Sequence, residues 1–307
     1  MKVSIFYNVS FLLLCICLHS VAQTEGLIQN KNARIYYRTY GKGNPLLIIN
    51  GGPGLNSEGF VALAKELSAA NQTIIYDQRG TGKSTVIPVD STTITMQLMI
   101  EDMEVLRKHL GFDQWSILGH SFGGMLASYY ASVYPEHIRL MILSSSGGID
   151  LGLQSYVSHS INDKLSALEN DSLKYWNDRI AGGDTSYSAR YRRGMAMASA
   201  YVVNKNNIPI IAERLTQGNP VVNGLVWQDL NKIKFNCAPK LKNFSKPVLI
   251  IQGKQDIIKI QTAEYAHKVL RNSKIVIVDH CAHYGWLDNP QDYFKEVNLF
   301  LLSGLTT

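Results

Sequence analysis

Long apolar runs are nearly absent. In 307 residues only the extreme N-terminus carries one, residues 11–18, and the ~20 apolar residues that cross a bilayer occur nowhere. A polytopic membrane protein is excluded. Basic tracts are missing too: Lys plus Arg outnumber Asp plus Glu by 30 to 24, but no basic run exceeds Arg192-Arg193. The electrostatic footprint of a nucleic-acid binder is therefore not there. Cysteine is scarce, four in all, and Cys15 and Cys17 lie in the N-terminal stretch. The remaining Cys237 and Cys281 make no disulfide framework, and their spacing leaves one bridge and two buried thiols both open. No CxxC, HExxH or paired-carboxylate spacing occurs that would hold zinc or calcium, so no metal or organic cofactor is expected. Internal repeats and low-complexity tracts are absent as well.

What is present is a globular composition, 46% apolar and 18% charged. It suits one large domain or two ordinary ones with a sizeable core. The N-terminus reads as a targeting segment: Lys2, the apolar residues 11–18, then Ser20-Val21-Ala22. That pattern predicts a signal peptide over residues 1–22, cleaved after Ala22, and export to the periplasm or the extracellular space. An anchor helix would need a far longer apolar run. A lipoprotein signal would need a small residue before its cysteine, where Leu14 and Ile16 stand.

Along the mature chain, short β-branched runs alternate with longer helical patterns, the pattern of a mostly parallel sheet covered by helices. Residues 45–49, 73–76, 115–118 and 140–143 are near-continuous apolar runs, which require burial on both faces. Residues 35–40 alternate like an antiparallel edge strand, and residues 247–251 and 274–278 supply two later strands. Helical patterns start near Thr262 and Pro290. Between Gly147 and about Leu241 long apolar β runs cease, and aromatics sit among helical stretches. The expected fold class is α/β, with a core domain over 23–147 and 242–307. A helical cap over 148–241 would lie above the carboxyl ends of the strands, where open α/β sheets bind ligands.

Gly119-His120-Ser121-Phe122-Gly123 lies between a strand and a helix, the setting of a GxSxG nucleophile elbow. A side chain at 119 or 123 would collide with neighbouring backbone as Ser121 is pushed into a strained conformation. A serine hydroxyl needs a base, and the base needs an acid behind it, in chain order Ser, acid, His. Asp256 and His283 each follow a strand through a short loop and fit those roles. His280 competes as base, and Asp150 and Asp279 compete as acid. Glu101 and Asp102 read as a solvated helix face. A developing oxyanion needs two fixed backbone donors. Phe122 N–H is one, and Gly52, with Gly51 next, supplies the other from the loop Asn50-Gly51-Gly52-Pro53-Gly54. Gly80-Thr81-Gly82-Lys83-Ser84 looks like a phosphate loop, but Asp77 stands where that motif requires Gly and no helix follows. Asp77 and Arg79 read instead as a structural corner beside the site.

The Asn50–Gly54 loop, the stretch from Asp77 to Ser84 and the elbow together resemble prolyl aminopeptidases, also called proline iminopeptidases, of the α/β-hydrolase superfamily. The resemblance implies a triad of Ser121, Asp256 and His283, an oxyanion hole at Gly52 and Phe122, and a cap that sets substrate choice. Two positions depart from the family pattern: Asn50 where His is usual, and Phe122 where Trp is usual. Those peptidases hold the substrate's α-ammonium with cap glutamates, which makes Glu169, Glu213 and Trp176 of the Trp176-Asn177 pair the residues to inspect. The expected activity is release of an N-terminal residue, preferentially proline, from short peptides. A carboxylesterase or lipase acting on small apolar esters is the enzymatic alternative, and a hydrolase-fold binding protein without turnover the alternative of another class. The expected partner is a small-molecule or short-peptide substrate, and no nucleic acid. No stable membrane span should remain after signal cleavage. The sequence does not set an oligomeric state.

Overall fold

The computed structural model describes residues 23–304; the predicted signal peptide lies outside them. In chain order the elements are β1 (Gln23–Asn30), β2 (Ala33–Tyr40), β3 (Asn44–Ile49), α1 (Val61–Leu67), β4 (Asn71–Tyr76), β5 (Thr85–Val86), α2 (Met96–His109), β6 (Trp115–His120), α3 (Phe122–Val133) and β7 (Ile138–Ser144). A helical stretch follows: α4 (Val157–Asn162), α5 (Ala167–Ala181), α6 (Tyr187–Ala198), α7 (Ile208–Thr216), α8 (Pro220–Lys232) and α9 (Ala238–Leu241). The chain then returns through β8 (Val248–Gly253), α10 (Ile260–Val269), β9 (Ser273–Val278), α11 (Gly285–Asp288) and α12 (Pro290–Ser303).

The strands form one nine-stranded sheet in the order β1-β2-β4-β3-β6-β7-β8-β9, with β5 paired to β2. From β4 onward the neighbours are parallel, while β1, β2 and β4 pair antiparallel. The apolar runs work as two-sided strands. Leu47, Ile49, Ile74, Ile117, Met141 and Ile250 pack into one core, and their alternates Leu46, Ile48, Ile75, Leu118, Ile142 and Leu249 into the other. Such alternation with both faces apolar is what burial under helices on each side demands. β2 departs from expectation: it is antiparallel but interior, because β1 pairs along its whole length and takes the edge.

Helix α2 shows how one helix closes a face. Thr95 caps it, its hydroxyl accepting from Leu98 N–H, and Arg107, Lys108 and His109 sit at its negative end. Met96, Met99, Ile100, Met103 and Leu106 form the buried stripe. Asp102 is buried on this helix, contrary to the solvated face expected from the sequence. Its carboxylate takes a bidentate grip from Arg79 at 2.7 and 2.8 Å and a bond from Asn30 at 2.7 Å. The guanidinium also donates to the Thr93 and Leu98 carbonyls. Glu101, ~100° round the helix, does face outward and pairs with Lys31.

Between β7 and β8 the described residues form helices and no named strand. The two ends of this stretch are stitched together: Asp150 bridges Asn236, and Cys237 N–H donates to the Ile149 carbonyl at 2.8 Å. Helices α6 and α7 touch where Gly194 has no side chain; a Cβ there would stand 2.7 Å from the Ala212 carbonyl oxygen. Cys237 and Cys281 are free and buried, and burial pushes both thiols up to about 12. No helix among the described residues is long and apolar enough to cross a membrane.

Candidate active site

Ser121 sits between β6 and α3 at φ 56°, ψ −120°, a conformation that costs a non-glycine residue about 1–3 kcal/mol. The surroundings hold it there. Its N–H donates to the Ser144 carbonyl, and its carbonyl accepts from Gly124 and Gly147. A Cβ at Gly119 would lie 2.3 Å from the Gly123 carbonyl oxygen, and one at Gly123 would lie 2.1 Å from that of Ile49. Both glycines are therefore required by contact, as the sharp turn demands.

The loops after β8 and β9 bring Asp256 and His283 together. His283 Nδ1 donates to Asp256 Oδ1 at 2.8 Å, and both side chains are almost fully buried. The carboxylate is held from other directions as well, by Ile258 N–H on Oδ1 and Gln252 Nε2 on Oδ2. The two loops meet at Gly253, where a Cβ would come 2.0 Å from the Ala282 carbonyl oxygen. His283 N–H donates to the Tyr201 carbonyl at 3.0 Å. The carboxylate of Asp288 accepts from Ala282, Val203 and Asn204, tying the histidine loop to the helical stretch.

The competing residues lie elsewhere. His280 and Asp279 are exposed, with Asp279 paired to Lys254. Asp150 accepts from Gly152 N–H within its own turn. His120 is buried with its ring 4.6 Å from that of His283. Burial first, then the charges of His283 and Arg214, hold its pKa well below the usual histidine range, so it stays neutral.

Gly52 takes φ +68° in the loop after β3 and accepts Leu55 N–H at 2.8 Å. Three side or main chains from the helical stretch clamp this loop: Arg214 Nη2 on the Gly51 carbonyl, Asn223 Nδ2 on that of Pro53, and Asn219 N–H on that of Gly54. Asn50 is buried and donates to the Leu55 carbonyl from within. Phe122 N–H belongs to the first turn of α3, where backbone donors have no partner inside the helix. Gly51, Gly52, Ser121, Phe122 and His283 line one cavity of about 150 Å³, whose other walls include Met125, Leu153, Trp227 and Ile257.

The cap residues singled out in the sequence stand away from this cavity. Glu169 closes the capping box at the start of α5, accepting from Ser166. Glu213 is exposed and accepts from Tyr187 Oη. Trp176 packs edge-on against Tyr175 and under Arg179. No motif in the sequence points to Gln252, Asp288 or Arg214. For Arg214 a signal existed: the stripe Ile208, Ile211 and Leu215 sets the inner face of α7, and Arg214 stands three residues from Ile211 on it, whereas Glu213 falls off it.

The sequence matches the alpha/beta hydrolase fold family over residues 44–290. It is 27% identical over 292 residues to a proline iminopeptidase of Heyndrickxia coagulans, covering 91% of this chain and 99% of that one. It is likewise 27% identical to a proline iminopeptidase of Saccharolobus solfataricus, with 92% and 94% covered. Among solved structures it resembles the proline iminopeptidase of Mycobacterium smegmatis, with TM-score 0.69, 20% identity, and 92% and 98% of the chains covered. An esterase from Exiguobacterium antarcticum is similar too, with TM-score 0.68, 18% identity, and 90% and 99% covered. With its mostly parallel sheet, its elbow and this match over most of its length, the chain belongs to the alpha/beta hydrolase fold family.

Proposed function

We propose that the chain hydrolyses a small acyl compound through Ser121, His283 and Asp256, releasing the N-terminal residue of short peptides, proline before others. The observation that carries this reading is the buried 2.8 Å bond from His283 Nδ1 to Asp256, made by a histidine that lines the same cavity as Ser121. With Nδ1 committed to the carboxylate, Nε2 is the nitrogen left to take the Ser121 proton. Ser121 Oγ attacks the carbonyl carbon, and the oxyanion is met by Gly52 and Phe122 N–H. The His283 imidazolium then gives its proton to the leaving amine or alcohol. Water, deprotonated by the same nitrogen, hydrolyses the acyl-enzyme and restores Ser121. Asp256 fixes the tautomer and stabilises the charge on His283. The peptide reading is supported by the curated relatives named proline iminopeptidase. In this reading residues 148–241 form the substrate-selecting cap.

A second reading, a carboxylesterase for small apolar esters, has its own observation. The cavity at Ser121 has Met125, Leu153, Val157, Trp227, Ile257 and Ile258 among its walls, and no lining residue is a carboxylate. A desolvated α-ammonium would go unpaired there, which is costly. The comparison that decides is kcat/KM for a proline anilide against a short-chain aryl ester, each also with the N-acetylated or neutral analogue. Preference for the anilide with dependence on the free imino group supports the peptidase. Preference for the ester, indifferent to a free amine, overturns it in favour of the esterase.

A further inference from the structure

A second cavity, about 520 Å³, adjoins the one at Ser121 and shares Gly52, Pro53, Leu55, Tyr201 and Leu215 with it. Its far wall is one face of α6. Arg190, Arg193 and Met197 are three and four residues apart and line it together, whereas Arg192 does not. Neither cavity has a carboxylate among its lining residues. Arg190 makes no ion pair among the described residues, and Arg193 Nε donates only to the neutral amide oxygen of Asn177. The other charge against the shared loop is also positive: Arg214 is 3% exposed, bonded to carbonyls and to Tyr284 Oη, and has no carboxylate partner among the described residues. The vestibule of this site thus carries cations without counter-charge. A guanidinium fork matches a carboxylate in two-point geometry.

We infer that Arg190 and Arg193 receive a carboxylate on the leaving half of the substrate, while the apolar cavity at Ser121 takes the acyl half. The substrate class is then an acid-bearing ester or amide, and among peptides a di- or tripeptide with a free C-terminus. The inference rests on hydrolysis at Ser121. It accounts for the missing carboxylates in the cavity walls: the site is built to attract an anion and disfavours a substrate presenting only a cation.

The experiment uses the mature chain and two matched pairs: 4-carboxyphenyl butyrate against 4-carbamoylphenyl butyrate, and prolylglycine against prolylglycinamide. Wild type should favour the acid of whichever pair it hydrolyses by about tenfold or more in kcat/KM, mainly through KM. Raised salt should shrink the ratio. Arg190→Gln with Arg193→Gln should bring the ratio near one, and Arg193→Glu should invert it, while Arg192→Gln keeps the wild-type ratio. Equal rates for acid and amide in wild type, or a preference that survives the double replacement, overturns the carboxylate site. Turnover of none of the four compounds sinks the hydrolase reading itself, and the inference with it.

Discussion

At the scale of single residues, the reactivity proposed for Ser121 depends on how firmly Asp256 is fixed. Replacing Asp256 by Asn should lower kcat by about 10⁴-fold, because the histidine loses the partner that sets its tautomer; steady-state kinetics on the preferred substrate checks this. Gln252→Ala removes one donor to the same carboxylate and should cost about 10–100-fold in kcat, the worth of a hydrogen bond to a charged group. An unchanged rate would show that Ile258 N–H alone suffices. The thiols give a test away from the chemistry. With both pKa values raised to about 12 by burial, Cys237 and Cys281 remain protonated at pH 8, where a free cysteine is partly thiolate. Iodoacetamide should label them only after denaturation. The placement of Ser121, Asp256 and His283 was legible because each directly follows or closely trails a strand, and strand ends can be read from apolar runs. The side chains of the helical stretch were not. That Arg214 is buried while Glu213 is exposed, and that Arg193 lines the adjoining cavity, depends on how each helix docks, which no motif records.

At the scale of elements, the loop after β3 is shaped as much by α7 and α8 as by its own glycines. Arg214→Ala removes its bond to the Gly51 carbonyl, its contact with Asn56 and its seat 4.7 Å over the Phe60 ring. We expect kcat to fall by about 10–100-fold with a smaller change in KM, the mark of a lost oxyanion geometry; a change in KM alone would assign Arg214 to substrate binding. Gly123→Ala should abolish activity, since its Cβ would overlap the Ile49 carbonyl; a fully active variant would contradict the close packing of α3 on β3. The two-sided strands were legible from composition, while β1 was not. Gln23, Thr24 and Glu25 are polar and exposed, and a strand paired on one side carries a weaker pattern than a buried one. Missing β1 is also what put β2 at the edge.

At the scale of the whole molecule, the buried ion pair ties α2 to the loop after β4 and so to the ground beneath the site. Asp102→Ala leaves the Arg79 guanidinium uncompensated at 0% side-chain exposure and should cost about 3–5 kcal/mol. Glu101→Ala breaks a pair that is partly open to solvent and should cost about 1 kcal/mol or less. Chemical denaturation of the two variants compares them directly, and equal losses would contradict the placement of Asp102. The sequence could not show this pair, since adjacent helical residues with the same charge differ only in the direction that the fold assigns them. Three distant segments meeting at one sheet edge are the central claim, and active-site labelling tests it most directly. A fluorophosphonate probe followed by peptide mapping should modify Ser121 in the wild type, and labelling should be lost in Ser121→Ala and reduced to background in His283→Ala. A folded wild-type protein that resists the probe, or a label that persists in His283→Ala, would contradict the account.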